Sequence, residues 1–332
     1  MNIIEPSSIY LKADGLSPYQ FMEKAGRTCY KSESNITSDS AIKFVQGLKK
    51  SGHHAMLEHS HIYLIVNNDI AIPFITAINN NDMDIDGTVF PVKNFLNISA
   101  FSSFTIISGS FRAFIGIYDP ACMEFFGNQS KQIHKALSKA YPEVFDDIDN
   151  VSYNENSISV FDRNTFINFI SKSFDDKAGS KLLKKHLTHT CVFICDRGIT
   201  HEFVRHRLAS FAQESTRYCN YSKDKFGNEI TVIRPNEFKE GTEEYNAWKE
   251  ACEKAEYDYF KLLELGVKPQ FARDVLPTSV KTEIIITATE NEWQHIVNLR
   301  KHGTTGAPHP QIVQSMDMIY DDLCIESNNR IQ

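Results

Sequence analysis

Residues 205 to 218 read RHRLASFAQESTRY and concentrate more side chains suited to binding or catalysis than the flanking segments. Guanidinium groups bind phosphates and the edges of bases through planar, forked donors. Clustered guanidinium groups repel one another, so they need an anionic ligand or acidic partners. Glu202 and Glu214 are close enough in sequence to be such partners, and both interpretations stay open on this stretch alone. The three arginines are Arg205, Arg207 and Arg217.

The overall charge favours a small anionic ligand. The 332 residues carry a net charge of -7, with 42% hydrophobic and 23% charged side chains, a composition typical of globular proteins. Binding to nucleic acid in general requires basic charge spread over a whole face, which an acidic chain with one short basic cluster does not provide. A nucleic-acid module that stacks bases on Phe211 and Tyr218 is therefore the disfavoured alternative.

Neither a membrane segment nor a metal site is expected. The most apolar stretch, residues 62–78, is interrupted by polar residues, and the first residues lack a basic leader, so we predict a cytoplasmic protein. Seven cysteines, an odd number, do not indicate a disulfide framework. Cys191 and Cys195 lack the second pair that a zinc ribbon needs, so buried reduced thiols are expected.

Capping signals and hydrophobic periodicity predict the elements that position the arginine cluster. Ser17 followed by Pro18 predicts a helix start, and a second helix is predicted from a cap at Ser38 to Gly52. The β-branched and aromatic run in HLTHTCVFICDRG predicts a buried strand, with ITHEFVRHR leaving it as a turn or helix. The cluster is thus placed at the end of a strand.

The last third of the sequence predicts further alternation of helix and strand. A helix is expected over residues 243–265, ended by Gly266, with a new start at Pro269. KTEIIITAT predicts a strand, and ENEWQHIVNLRKHG and HPQIVQSMDMIYDDL predict two helices. These patterns indicate an α+β fold, with a mixed or antiparallel central sheet ringed by helices.

Two segments of the sequence resemble each other weakly. TIISGSFRAFIGI (105–117) and IITATENEWQHIV (285–297) both read as strand, polar turn and aromatic helix. So degenerate a pattern, without a repeat at solenoid period, is better explained by chance.

The spacing within the arginine cluster is more specific than its composition. RHR, seven residues, Ser215, one residue and Arg217 match the R-H-R-x7-S-x-R signature of the flavin-dependent thymidylate synthases, five positions expected by chance about once in a few million starts. The flanking CDRGITHEFVRHR and YCNYSKDKFGNE resemble the longer bacterial and phage-type members. GHHAMLEHSH, KPQFARDVLP, TATENEWQHIVNLR and APHPQI also resemble segments of that family.

The resemblance implies roles for particular residues of this sequence. It gives Arg300 and Ser215 as catalytic residues, and it places His59 and His61 on one face of a strand. The implied FAD contacts are His59, His61, Arg205, His206, Arg207, Gln213, Thr289, Glu290, Asn291, His295 and His309. The implied dUMP contacts are Glu202, Arg205, Gln213, Glu214, Ser215, Thr216, Arg217, Arg273 and Arg300.

The resemblance also implies the reaction and the assembly. The expected activity is reductive methylation of dUMP to dTMP, with methylenetetrahydrofolate as carbon donor, FAD as hydride carrier and NADPH as reductant, in a homotetramer whose flavin lies between subunits. Residues 1–66 and 187–332 would form the catalytic domain. Residues 67–186, which the resemblance does not cover, would be an inserted subdomain of unknown role.

Several alternatives remain at this point. Ala212 and Gln213 stand where many relatives have Asn and Glu, so a non-catalytic homologue that binds FAD or a nucleotide is the alternative function. Arg273 and Arg300 alone fit salt bridges as well as ligand contacts. Ser215 also fits a helix cap, which is compatible with phosphate binding at the same place.

Overall fold

A computed structural model describes residues 1–13, 15–80, 83–85, 88–90, 95–118, 127–216, 221–222 and 227–329. The helices of these residues are α1 (Pro18–Tyr30), α2 (Ser40–Ser51), α3 (Asn68–Asn80), α4 (Phe111–Ile117), α5 (Asn128–Ala140), α6 (Arg163–Ser173), α7 (Asp176–His186), α8 (Arg197–Phe203), α9 (Glu243–Glu264), α10 (Pro269–Ala272), α11 (Glu290–Arg300) and α12 (Pro310–Asn329). Short 3-10 segments lie at Glu33–Asn35, His54–His59 and Arg273–Val275.

The strands are β1 (Asn2–Ile4), β2 (Ser7–Tyr10), β3 (His61–Asn67), β4 (Met83–Ile85), β5 (Thr88–Phe90), β6 (Leu96–Ala100), β7 (Phe104–Ser110), β8 (Ile158–Phe161), β9 (Thr188–Asp196), β10 (Ser210–Gln213), β11 (Thr231–Ile233) and β12 (Lys281–Thr289). Sheet I has the order β6-β7-β3-β8 and sheet II the order β10-β12-β9-β2. All neighbours in both sheets are antiparallel. Outside them, β1 pairs with β11 in parallel and β4 pairs with β5.

This arrangement confirms the predicted α+β class with antiparallel pairing. Two four-stranded sheets, however, take the place of the one central sheet that was expected. The hydrophobic pattern of a strand indicates which face is buried, but it does not say which other strand will pair with it. Strand β3 pairs with β7 and β8 of the middle section rather than with β9.

Sheet II lies next to the arginine cluster, and its two long strands are where the sequence predicts strands. Strands β9 and β12 pair over nine residues, from Lys281 opposite Asp196 to Thr289 opposite Thr188. Their inward side chains pack against α11 and α12, which closes one apolar core. Fully buried members of this core include Phe193, Ile284, Ile286, Trp293, Ile312 and Met316.

The predicted helix starts hold with one exception. Ser17 accepts from the backbone N–H of Gln20 at 3.2 Å, and Gln20 accepts from the N–H of Ser17 at 2.9 Å, so α1 begins at a capping box. The predicted cap at Ser38 is wrong, because α2 begins at Ser40 after Asp39. The hydroxyl of Ser40 donates to Glu23 at 2.8 Å and accepts from the N–H of Thr37 at 2.9 Å. Gly52 ends α2 at a φ of 72°.

The middle of the chain contributes most of sheet I. Strands β6, β7 and β8 lie within residues 67–186, whereas β3 ends at Asn67 and lies between β7 and β8. The division into residues 1–66, 67–186 and 187–332 stays a prediction. None of the helices in the described part of the chain is both long and apolar enough to cross a membrane.

Candidate active site

The arginine cluster follows a capped strand-to-helix junction. Asp196 ends β9 and accepts from the N–H of Ile199 at 2.8 Å, which starts α8. Ile199 and Phe203 bury one side of α8 in the core of sheet II. Burial raises the pKa of the Asp196 carboxyl above its ordinary value of 3.8. The helix therefore ends at a fixed point, directly before Arg205.

Arg300 is the last residue of α11, and its guanidinium donates three hydrogen bonds. Its Nη1 donates to the Glu202 carboxylate at 2.7 Å, its Nη2 donates to the Glu202 carbonyl oxygen at 2.9 Å, and its Nε donates to Nε2 of His206 at 3.1 Å. The side chain of Arg300 is 15% exposed and that of Glu202 is 26% exposed. Three predicted site residues thus meet in one charge-assisted network.

His206 is held neutral inside this network. Burial, together with the nearby guanidinium of Arg300, lowers its pKa from 6.5 to about 4. Because Arg300 donates to Nε2, the ring proton of neutral His206 lies on Nδ1, which faces Glu292 at 3.7 Å. The His206 and His295 rings lie 5.7 Å apart in an edge-to-face arrangement.

The donor atoms of His206, Glu292 and His295 lie within 4.8 Å of one another and could geometrically hold a metal ion. The guanidinium of Arg300 donates to His206, however, so a second cation at this place would be repelled. Glu292 was not predicted from the sequence. Its signal is the spacing of Glu292 and His295, three residues apart on one helix face.

Other predicted residues surround this network at the surface. The exposed ones are Arg205, Arg207, Asn291 and His295. Their donors are accessible to a ligand, whereas Arg300 and His206 lie deeper. An anionic ligand at this surface would face both exposed arginines.

A second cluster follows β10. The amide of Gln213 donates to the hydroxyls of Thr200 on α8 at 3.1 Å and Thr282 on β12 at 3.3 Å. Buried Glu214 accepts from Lys281 at 3.0 Å. Thr200, Lys281 and Thr282 were missed by the sequence analysis. Thr200 joins the two clusters, since it lies one turn before Arg205 on the same connection.

The predicted phosphate contacts lie at the end of this second cluster. Arg273 donates to the hydroxyl of Thr216 at 3.0 Å. The N–H of Ser215 donates to the carbonyl oxygen of Cys29 at 3.2 Å, and the thiol of Cys29 donates to the carbonyl oxygen of Gln213 at 3.1 Å. Helix α1 therefore braces this loop. Ser215 also fitted a helix cap, and residues 217–220 of such a helix lie outside the described residues.

Arg217, predicted to contact dUMP, lies outside the described residues. Arg273 and Arg300 belong to different hydrogen-bonded clusters in the single chain, one with Thr216 and one with Glu202 and His206. The sequence placed them in one site, because a shared motif gives no distances.

His59 and His61 line a third location. His59 closes a 3-10 segment and His61 begins β3, so the prediction that both lie on one strand face is wrong. The reason is local: burial of Met56 and Leu57 fixes a tight turn directly before the strand. His59 Nδ1 is 2.8 Å from the hydroxyl of Thr287 on β12.

A cavity of about 180 Å³ lies beside these histidines, between the two sheets. Among the described residues, Nε2 of His59 and Nδ1 of His61 are buried without a hydrogen-bond partner. Burial lowers the pKa of His59 to about 3 and that of His61 to about 4. Both rings are therefore neutral near pH 7 and available to a polar ligand or water.

The remaining predicted flavin contacts have structural roles in the single chain. Thr289 accepts from the N–H of Glu292 at 3.3 Å and caps α11. Glu290 lies 3.7 Å from Nε2 of His189. His309 is exposed directly before α12, and its Nδ1 accepts from the N–H of Gln311 at 3.3 Å. A capping role does not exclude ligand contact at the same helix end.

Fold and site together define an α+β protein with a network of Arg, His and Glu side chains at the C-terminal ends of α8 and α11. A model of the family described as thymidylate synthase complementing protein matches residues 128–323. That span exceeds half of the chain, and the chain belongs to this family.

Curated relatives support the same family. The chain is 35% identical over 123 residues to a flavin-dependent thymidylate synthase of Pyrococcus furiosus, which covers 37% of this chain and 50% of that protein. It is 36% identical over 123 residues to the protein of that name from Thermococcus kodakarensis, covering 37% of this chain and 49% of the relative. The chain thus spans about half the length of the curated relatives it matches.

Solved structures give a weaker likeness. A UMP/dUMP methylase, PolB from Streptomyces cacaoi bound with 5-Br UMP, is 18% identical, with a TM-score of 0.37. The match covers 50% of this chain and 83% of that chain.

Proposed function

We propose that this chain is a flavin-dependent thymidylate synthase that methylates dUMP reductively to dTMP. Methylenetetrahydrofolate would be the carbon donor, FAD the hydride carrier and NADPH the reductant. The main support is that the RHR-x7-S-x-R signature lies within the family match and leads into the Arg300–Glu202–His206 network. Assembly as a homotetramer and a cytoplasmic location are further parts of the proposal.

The residues present suit a flavin nucleotide. Arg205 and Arg207 are exposed cations for its pyrophosphate, and His59 and His61 offer buried ring nitrogens without a partner among the described residues. Further contacts are assigned to His206, Gln213, Thr289, Glu290, Asn291, His295 and His309. When bound, FAD supplies the hydride that reduces the transferred one-carbon unit.

The dUMP phosphate is assigned to the loop after β10. Ser215, Thr216, Arg217 and Arg273 provide hydroxyl, backbone and guanidinium donors for a dianion. Glu214 is ion-paired with Lys281 at the start of β12, which limits the repulsion between its carboxylate and the phosphate. Arg273 already donates to Thr216, so the guanidinium is oriented before the ligand arrives.

Arg300 is assigned to the edge of the uracil ring, beside Glu202. Carbon C5 becomes nucleophilic when negative charge is drawn onto N3 and the carbonyl oxygens of the ring. A guanidinium at that edge stabilises this charge, an effect worth about 3 kcal/mol or roughly 10²-fold in rate. Glu202 holds Arg300 in place while leaving its charge near the base. Burial of this pair strengthens the interaction.

The test is an absorbance spectrum followed by an assay. Purified protein is expected to show the flavin band, to lose it with NADPH, and to release tritium from 5-tritiated dUMP as dTMP forms. Protein that binds FAD and dUMP but releases no tritium would be the non-catalytic homologue. Protein that cannot be reconstituted with FAD would exclude the proposed activity.

A further inference from the structure

The two sheets have the same architecture. In sheet I the order β6-β7-β3-β8 and in sheet II the order β10-β12-β9-β2 place equivalent strands side by side, all antiparallel. Apart from β4 and β5 in unit I and residues 214–280 in unit II, the chain in each case runs from an inner strand into a helix, through an antiparallel pair of strands, and into two further helices. We name residues 59–140 unit I and residues 186–329 unit II.

The units exchange their edge strands. Strand β2 precedes unit I in the chain but pairs with β9 of unit II. Strand β8 precedes unit II but pairs with β3 of unit I. Such reciprocal exchange is the geometry of two copies related by a twofold axis.

Two buried histidines cross between the units in the same way. His59 lies four residues before Tyr63, which pairs with Ser108, and His186 lies four residues before Thr190, which pairs with Thr287. The contacts are reciprocal: His59 reaches Thr287 at 2.8 Å and His186 reaches Ser108 at 2.8 Å. Each histidine therefore binds the strand residue equivalent to the one bound by the other.

The first strand-to-helix junctions match residue by residue. In α3 the third and seventh residues are Ile70 and Phe74, and in α8 they are Ile199 and Phe203. All four side chains are buried.

The second junctions match as well. Ser110 caps α4 and Thr289 caps α11, each accepting from the N–H three residues on. The buried fourth residues are Phe114 and Trp293. These junctions lie in segments 105–117 and 285–297, whose similarity in sequence was attributed to chance.

The arginine cluster and the Glu292–His295 pair are present in one copy only. Counting from the start of each helix, Arg205, His206 and Arg207 correspond to positions 76–78 of unit I, which are Thr, Ala and Ile. Glu292 and His295 correspond to Ala113 and Gly116.

The insertion that carries the second cluster is also confined to one copy. Residues 214–280, which include Ser215 and Arg273, connect β10 to β12. The equivalent connection in unit I is the three residues 101–103. Unit I is therefore too short there to build a phosphate-binding loop.

We infer that the chain contains two copies of one structural unit, that only unit II carries the arginine cluster and the phosphate-binding loop, and that unit I is mainly its scaffold, with His59 also positioning β12 through Thr287. The identity of the ligand rests on the proposed function; the duplication does not. Residues 67–186 are then most of a copy rather than an insertion. The cavity beside His59 and His61 lies where the copies meet, since Thr188 and Thr190 of unit II also line it.

The two equivalent contacts between the units, His59 with Thr287 and His186 with Ser108, can be removed separately to test the inference. His59→Gln and Thr287→Val remove one contact, and His186→Gln and Ser108→Ala remove its equivalent. Thermal unfolding of the full chain and FAD affinity by flavin fluorescence are measured for each, and the FAD content per chain is measured by absorbance. We expect one FAD per chain and comparable losses of unfolding temperature in both pairs. Only the first pair should weaken FAD binding, by roughly fivefold.

Several results would overturn the inference. Two FAD molecules per chain, or equal loss of FAD affinity in the second pair, would show that unit I also carries a site. If His59→Gln weakens FAD binding but Thr287→Val does not, His59 contacts the ligand directly and is not a positioning residue. A wild-type chain that binds no FAD would contradict the proposed function. In that case the duplication is tested by the unfolding temperatures alone, and unequal decreases in the two pairs of variants would contradict it.

Discussion

Arg300 donates to Glu202 twice, through the carboxylate at 2.7 Å and through the backbone carbonyl oxygen at 2.9 Å. The double contact joins the end of α11 to the end of α8 and fixes the plane of the guanidinium. A lysine has a single side-chain nitrogen and cannot form both bonds with the same planar geometry. The orientation of this cation is therefore a property of the fold.

The first prediction concerns Arg300→Lys in the proposed reaction. The variant keeps the positive charge but loses the forked geometry, so kcat/KM for dUMP should fall about 10²-fold. Steady-state dTMP formation measures the change. Lys301→Ala, which removes an ion pair with Asp317 at the next residue, is the matched control and should leave kcat/KM nearly unchanged. Equal losses in both variants would count against a role for Arg300 at the base.

The second prediction concerns the phosphate loop. Arg273→Ala removes a guanidinium that donates to Thr216, and KM for dUMP should rise by about 10- to 100-fold, as expected for a lost charged hydrogen bond. Arg234→Ala is a matched control, because Arg234 pairs with Glu5 and Glu240 at the surface. An unchanged KM for Arg273→Ala would remove this residue from the proposed dUMP site.

Much of sheet II could be predicted from sequence because its signals are local. The strand Lys281–Thr289 has the predicted boundaries, set by a β-branched run, and the next helix has the predicted start, set by the Thr289 cap, although it ends at Arg300, three residues before the predicted end. Sheet I could not be predicted, since pairing of β3 with β7 and β8 depends on contacts distant in sequence. The duplication was invisible for the same reason: the cap and the buried aromatic positions persist while most side chains differ.

For the candidate site, too, local features could be predicted from the sequence and contacts between distant segments could not. The sequence placed the cluster at the end of the strand that became β9 and predicted a turn or helix leaving it; Arg205, His206 and Arg207 follow the helix Arg197–Phe203, which leaves that strand at Asp196. It did not give Glu292 or Lys281, which approach from other elements. Nor could it separate Arg273 from Arg300, whose clusters are distinct in the single chain.

The third prediction concerns pH. Burial lowers the pKa of His59 and His186 to about 3, and of His61 and His206 to about 4, from an ordinary value of 6.5. The unfolded chain therefore binds more protons than the folded chain below about pH 6.5. The contribution of these four rings to stability should be constant above that pH and fall as the pH decreases toward 4, by roughly 1.4 kcal/mol per pH unit for each histidine.

Urea unfolding at pH values between 7.5 and 5 measures this slope. His186→Gln removes one of the four titrating rings, so its free energy of unfolding should depend less steeply on pH than that of the wild type. Ser108→Ala removes a hydrogen-bond partner of His186 but keeps all four rings, so it is the matched control for loss of that contact. A wild-type stability that stays level down to pH 5 would contradict the buried neutral state of these rings.

The last prediction concerns the loop that leads from α11 to His309. Gly303 has a φ of 65°, and a Cβ there would lie 2.9 Å from both the carbonyl oxygen of Gly306 and Cδ of Pro308. Gly303→Ala should therefore destabilise the protein by more than the ~1 kcal/mol expected from positive φ alone. Gly266→Ala, at a φ of 83° with open space around the Cβ, isolates the conformational term. Chemical unfolding should give the larger loss for Gly303→Ala, with weaker FAD binding because the loop positions His309; equal losses would mean that the loop can move aside.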